Sequence, residues 1–120
     1  MTIPSDTQTD RIFHALADRT RRDILVRSLS AEHSISELAS AYDMSFAAVQ
    51  KHVSVLQKAG LITKRRKGRE ALASGNAKTI RTAAELLLEL EGIWRGRVAR
   101  IDEMLETESS TLKNRNTSCP

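Results

Sequence analysis

The sequence predicts a mainly α-helical domain with one small β-hairpin, and three observations lead to this fold class. Apolar residues recur at three- and four-residue spacing through most of residues 10–106, as on one face of a helix. Polar residues that can cap helices precede these segments, and Gly60 follows one of them where a helix usually ends. The segments LITKRR and REALAS flank Lys67 and Gly68 as two strands flank a tight turn.

The composition limits the class of protein. The chain has 120 residues, is 40% hydrophobic and carries a formal net charge of +4, which suits one small domain with a modest core. It contains no apolar run of about 18 residues that could span a bilayer, and MTIPSDTQTDR lacks the layout of a secretory signal. We therefore expect a soluble cytoplasmic protein. The single cysteine, Cys119, can supply neither an intrachain disulfide nor a cysteine cluster for a metal.

Two short amphipathic helices begin the domain. Their apolar residues at helical spacing are Ile12, Phe13 and Leu16 in the first helix and Ile24, Leu25 and Leu29 in the second. Asp18 is expected to cap the second helix. Residues 1–9 and 107–120 are polar without a period, so we expect a mobile N-terminus and a mobile tail around a domain of residues 10–106.

The middle of the chain predicts a helix-turn-helix. Ser36 can cap a third helix, ELASAY, and after a brief DMS turn Ser45 can cap a fourth, FAAVQKHVSVLQKA. Two helices joined by a turn of about three to four residues form this motif. On the fourth helix Val49, Val53 and Leu56 follow the spacing of a core-facing stripe.

Positive charge is concentrated in residues 44–70. This quarter of the chain holds seven cationic residues and one acidic residue, Glu70, so its excess of six charges is larger than the +4 of the whole chain. Such a field suits the regularly spaced phosphates of a nucleic acid, although a solvated basic face is the simpler alternative. The cations lie on the second helix of the predicted helix-turn-helix and on the hairpin after it, which favours DNA binding.

The exposed face of the fourth helix supplies candidates for contact with bases. Gln50 could pair with adenine, and Phe46 or Ala47 could touch thymine methyl groups. Phe46 has an alternative role, since it could fold back over the third helix. His52, beside Val53, is expected to be a hydrogen-bonded boundary residue. The full predicted DNA-binding set is Ser45, Phe46, Ala47, Gln50, Lys51, Ser54, Arg65, Arg66, Lys67 and Arg69.

A long final helix, capped by Asn76 and running to about Glu106, exceeds the usual length of about 8 to 20 residues. It carries an apolar stripe that one small domain cannot cover, so we expect a two-fold homodimer, with ordinary core as the alternative. The predicted interface residues are Ile12, Phe13, Leu16, Leu87, Leu90, Trp94, Val98 and Ile101.

Several short runs, in this order and spacing, resemble the ArsR/SmtB family of winged-helix repressors. These runs are ALADRTRRDIL at 15–25, SELA at 36–39, VQKHVSVLQKAGLI at 49–62 and KRRKGRE at 64–70. The resemblance implies a winged helix-turn-helix that represses transcription as a homodimer on a roughly palindromic double-stranded DNA operator. The sequence departs from the family pattern at Arg19, at Gln50 and in EALAS, which lacks the usual tyrosine.

The residues that bind metals in sensing members of that family are not present at the matching positions. Ala39 and Ala41 stand where paired cysteines would be, and the last helix contains no histidine. The resemblance is therefore to members that repress without an obvious metal, and we expect no metal and no other cofactor. The sequence also contains no recognisable catalytic motif, so an enzyme is not expected. The alternative function is a winged-helix protein-interaction module without DNA binding.

Overall fold

The computed structural model describes the backbone of residues 7–116 and the side chains of residues 7–107. The boundary between two compact units falls between Ala83 and Ala84, within the last helix. Within the described residues, no helix is long and apolar enough to cross a membrane. The elements in chain order are α1 (Thr7–Leu16), α2 (Arg19–Ser30), β1 (His33–Ser34), α3 (Ile35–Ser40), α4 (Phe46–Lys58), β2 (Ile62–Lys67), β3 (Glu70–Gly75) and α5 (Ala77–Asn116).

The first two helices form as the sequence predicts. The Asp18 carboxylate accepts a hydrogen bond from the backbone N–H of Arg21 at 3.0 Å, which confirms Asp18 as the cap of α2. Ile24 and Leu25 are buried, whereas Leu29 is 44% exposed. Helix α1 begins at Thr7, inside the segment predicted to be mobile, and residues 1–6 lie outside the described residues.

Two consecutive arginines of α2 donate hydrogen bonds to carbonyl groups at the end of α1. Arg21 donates to the carbonyl of Ala15 through Nε at 2.8 Å and to that of His14 through Nη2 at 3.0 Å. Arg22 donates to the carbonyl of Leu16 at 2.7 Å. The last carbonyls of a helix have no partner inside it and carry partial negative charge, so guanidinium groups stabilise this end.

Helix α3 is capped two residues earlier than predicted. The hydroxyl of Ser34 accepts from the N–H of Glu37, and the Glu37 carboxylate accepts from the N–H of Ser34. This reciprocal pair satisfies two backbone donors, whereas Ser36, the predicted cap, lies in the first turn of the helix. The correction moves the start of α3 to Ile35.

Helix α4 begins and ends where the sequence predicts. The hydroxyl of Ser45 accepts from the N–H of Ala48 at 3.1 Å, and Gly60 follows the helix with φ of 80°. The N–H of Gly60 donates to Gln57, and the N–H of Leu61 donates to Leu56, each at 2.9 Å. These two bonds form a Schellman motif, which glycine favours because it adopts positive φ without a Cβ clash.

The hairpin belongs to a three-stranded antiparallel sheet with the order β1-β3-β2. The predicted turn at Lys67 and Gly68 is wrong by one residue, because Lys67 pairs with Glu70 and leaves Gly68 and Arg69 as the turn. Gly68 has φ of 64°, which the first position of a two-residue hairpin turn requires. Strand β1 was not predicted, because two residues are too few to show an alternating pattern.

The core of the first unit lies between α4, the sheet and the helices before them. Val49, Val53 and Leu56 are each 0% exposed, which confirms the predicted inner face of α4. Asn76 caps α5, since its Oδ1 accepts from the N–H of Lys78 at 3.1 Å. The helix continues ten residues beyond the predicted end at Glu106, to Asn116. Residues 117–120, including Cys119, lie outside the described residues.

Candidate nucleic-acid interface

One face of α4 is packed in the core and the other is open to solvent. Ala47, Gln50 and Lys51 are exposed, and Ser54 is half-buried. Phe46 is 49% exposed and lines a depression that Ile35 and Ser36 of α3 also line, so both of its predicted roles stay predictions. Ser45 uses its hydroxyl to cap the helix. The N-terminal end of α4 therefore presents the predicted side chains on one surface, and their contact with DNA stays a prediction.

His52 links α4 to α2 through a side-chain contact with Arg21. Nη1 of Arg21 lies 3.4 Å from Nδ1 of His52, while the same guanidinium binds the end of α1. Because a guanidinium only donates, this contact requires Nδ1 to accept and the ring proton to lie on Nε2. The prediction of His52 as a hydrogen-bonded boundary residue is confirmed. The role of Arg21 was missed, since neighbours so distant in sequence show no periodic signal.

The turn before α4 is attached to α2 by three side chains. The hydroxyl of Tyr42 donates to the Asp23 carboxylate, which also accepts from Nε of Arg27 at 3.0 Å. The guanidinium of Arg27 lies 5.5 Å from the centroid of the Tyr42 ring. Hydrogen bonds from Tyr42 and Arg27 lower the pKa of Asp23, while burial and the bond to Asp23 raise the pKa of Tyr42 to about 12. The i,i+4 spacing of Asp23 and Arg27 was visible in the sequence, but their partner was not.

We call β2, β3 and the turn between them the wing. The side chains of β2 alternate between its two faces, so the cations of this strand lie on opposite faces. Arg66 faces α4, where it and Arg69 line a shallow depression of about 180 Å³ together with Phe46 and Gln50. Neither arginine has a salt bridge with any side chain among residues 7–107. Glu70 also lines this depression, so one carboxylate residue lies beside the two arginines and the exposed end of α4.

Arg65 lies on the opposite face of β2 and is already paired. Its Nε and Nη2 lie 2.8 and 2.6 Å from the two carboxylate oxygens of Glu32, at the junction of α2 and β1. This bond lowers the pKa of Glu32 and raises that of Arg65. Arg65 thus has a carboxylate partner within its own chain, and its contact with DNA stays a prediction. Lys67 lies on the same face, and its charge also lowers the pKa of Glu32.

The predicted dimer residues fall into two groups. Ile12 is 0% exposed and belongs to the core of its own chain, so the prediction that it contacts a partner is wrong. Phe13 and Leu16 are partly buried against the same core. On α5, Val98 is half-buried and the other predicted interface residues are exposed, namely Leu87, Leu90, Trp94 and Ile101. Among residues 7–107, no group of three or more histidine, cysteine or carboxylate side chains could hold a metal.

Comparisons with known proteins agree with this geometry. Residues 16–65 match a family described as a helix-turn-helix domain. The uncharacterized HTH-type transcriptional regulator YuzN of Bacillus subtilis (strain 168) is 41% identical, with 50% of this chain and 73% of that protein covered. A crystal structure of an ArsR family transcriptional regulator is 30% identical with a TM-score of 0.73, and covers 78% of this chain and 97% of the other.

A weaker likeness concerns the fold alone. The homodimeric winged helix-turn-helix DNA-binding domain Mb0332 from Mycobacterium bovis, a possible ArsR-family regulator, is 23% identical with a TM-score of 0.59. The match covers 76% of this chain and 91% of that domain. The matches to YuzN and to the ArsR family regulator cover 73% and 97% of those chains, and the first unit has the expected α3, α4 and wing. The chain therefore belongs to the ArsR family of DNA-binding transcriptional regulators.

Proposed function

We propose that the chain is a homodimeric repressor that binds a roughly palindromic operator. The observation that carries the dimer is the row of exposed apolar side chains on α5. Leu87 is 55% exposed, Leu90 46% and Trp94 60%, at the three- and four-residue spacing of one helix face. A contiguous apolar face of this kind marks an interaction surface. The Mycobacterium bovis domain of similar fold is described as homodimeric, which supports a second copy as the partner.

The surface of the first unit supports a division of DNA contacts. The exposed N-terminal end of α4 fits the major groove, where Gln50 can form a bidentate pair with adenine. Arg66 and Arg69 lie beside Gln50 and can bind the phosphates next to that groove. Lys67 extends the positive surface at the end of β2. In this arrangement α4 provides sequence recognition, and the wing fixes the orientation of the protein on the duplex.

A two-fold dimer relates the two α4 helices by symmetry, so the two halves of the operator should be inverted repeats. In such dimers the half-sites lie about one helical turn apart, roughly 34 Å, on one side of the duplex. Occupation of this site would hide an overlapping promoter from polymerase. This is the mechanism of repression that we propose.

The test combines assembly with DNA binding. Wild-type protein should sediment as a dimer at micromolar concentration and shift the DNA upstream of its own gene, with a two-fold symmetric footprint. Trp94→Glu places a charge in the apolar row and should give monomer or aggregate with loss of the footprint. Glu103→Lys changes a charge on the opposite face of α5 and should remain dimeric. A monomeric wild type, or a footprint without symmetry, would contradict the proposal.

A further inference from the structure

Glu32 is an acidic residue that contacts the wing, and the proposed function does not explain its role. Its two carboxylate oxygens bind Nε and Nη2 of Arg65 in a bidentate pair, at 2.8 and 2.6 Å. The positive charge of Lys67 acts on the same carboxylate. Glu32 comes from the turn between α2 and β1, so this contact joins a distant part of the chain to the wing.

A carboxylate in this position binds arginine in the same way as a DNA phosphate does. Both anions accept two parallel N–H bonds from a guanidinium, which is the geometry that arginine favours. While Glu32 holds Arg65, the carboxylate uses two of the N–H donors of Arg65. Arg66, one residue later on the opposite strand face, has no such carboxylate partner among residues 7–107. The strand therefore carries one arginine that is available to DNA and one that is withheld.

We propose that Glu32 competes with DNA phosphates for Arg65 and thereby limits the sequence-independent affinity of the wing for DNA. The inference rests on the proposed function. Non-specific affinity comes almost entirely from phosphate neutralisation, so each available cation increases it on every sequence. Contacts with base edges act on the operator alone. By withholding Arg65, Glu32 lowers affinity for random DNA while the exposed face of α4 keeps its contacts with bases.

A purely structural role predicts the opposite result. If the Glu32–Arg65 pair only braced the wing, loss of the carboxylate would loosen β2 and weaken binding to all DNA. The pair lies at the surface, with the Arg65 side chain 58% exposed and the Glu32 side chain 30% exposed. Surface ion pairs contribute little to folding. The first unit should therefore stay folded without the pair. Thermal unfolding of Glu32→Gln tests this.

The experiment measures affinity for a random-sequence duplex at several salt concentrations. Glu32→Gln should bind this duplex more tightly than wild type at low salt. The slope of log affinity against log salt should steepen by about 0.9 for each Arg65 that binds a phosphate. Asp10→Asn is the matched control, because it removes one negative charge from the exposed side of α1 without releasing a paired arginine. Its slope should equal that of wild type.

A double variant identifies the released group. In Glu32→Gln/Arg65→Gln the slope should return to the wild-type value, because the freed guanidinium is no longer present. The inference is overturned if Glu32→Gln leaves the slope unchanged or weakens binding to random DNA. It is also overturned if the double variant keeps the steeper slope. A wild-type chain that binds no duplex at any salt concentration would overturn the proposed function itself, and this inference with it.

Discussion

Ser28 illustrates how a single buried group can limit stability. It is 2% exposed in α2, and its hydroxyl has no hydrogen-bond partner in the part of the chain that the structure describes. Because a buried polar group without a partner loses its bonds to water, Ser28→Ala should raise the free energy of unfolding by about 1 kcal/mol. Urea denaturation measures this difference. Ser30→Ala is the control, since its exposed hydroxyl already bonds the Val26 carbonyl, and its loss should change little. Destabilisation by Ser28→Ala would contradict the prediction.

The position of a residue in the candidate site could be predicted from the sequence where it depends only on neighbouring residues along the chain. Gln50 and Lys51 could be placed on the outer face of α4 because helical periodicity separates the two faces. The pairing of Arg65 with Glu32 could not be predicted, since it depends on β1 and β3 bringing the end of α2 beside the wing. Ile12 was misassigned for a related reason. An apolar residue on an amphipathic helix has the same sequence pattern whether it faces the core or a partner.

At the scale of elements, two glycines with positive φ allow a matched comparison. A Cβ added to Gly60 would lie 3.3 Å from Oγ1 of Thr79, in the packed region after α4. A Cβ added to Gly68 would meet nothing among the described residues within 4 Å. The left-handed conformation costs an alanine about 1–2 kcal/mol at either position. Gly60→Ala should therefore destabilise the protein more than Gly68→Ala in urea denaturation, because it adds a tight contact to the backbone cost. Equal or reversed losses of stability would count against this explanation.

Element boundaries followed the sequence where capping chemistry is local. Asp18, Ser45 and Asn76 each accept a bond from a backbone N–H at the start of a helix, and each was visible as a short polar residue before an apolar repeat. At α3 the predicted cap, Ser36, lies inside the helix, and the observed cap is Ser34 with its reciprocal partner Glu37. The hairpin turn was placed one residue early because glycine can occupy either central position of such a turn. Capping residues near each helix thus predicted most helix boundaries, whereas the position of the hairpin turn depends on the pairing between strands.

At the scale of the molecule, the chain concentrates positive charge in residues 44–70 and apolar surface on α5. The excess of six positive charges in residues 44–70 exceeds the net charge of +4 of the whole chain, so the rest of the chain is slightly acidic. An acidic remainder opposes binding of DNA elsewhere on the protein and favours approach of the α4 and wing surface to the duplex. The exposed apolar row on α5 supplies a separate surface for assembly. The two surfaces involve different elements, so variants in α4 or the wing should leave the dimer intact.

The separation of base contacts from phosphate contacts can be tested on that surface. Gln50→Ala removes a group that we propose to face the major groove, so it should cost about 1 to 3 kcal/mol on the operator and little on random DNA. Arg66→Ala removes a cation that we propose to bind phosphate, so it should weaken binding to both duplexes and reduce the salt slope by about 0.9 for each phosphate that is no longer neutralised. Lys58→Ala is the charge-matched control, since Lys58 lies in the last turn of α4, far from the N-terminal end. Affinities measured on both duplexes across several salt concentrations decide the question. If Arg66→Ala leaves the slope unchanged, or if Lys58→Ala reduces it equally, then the depression between α4 and the wing does not contact phosphate.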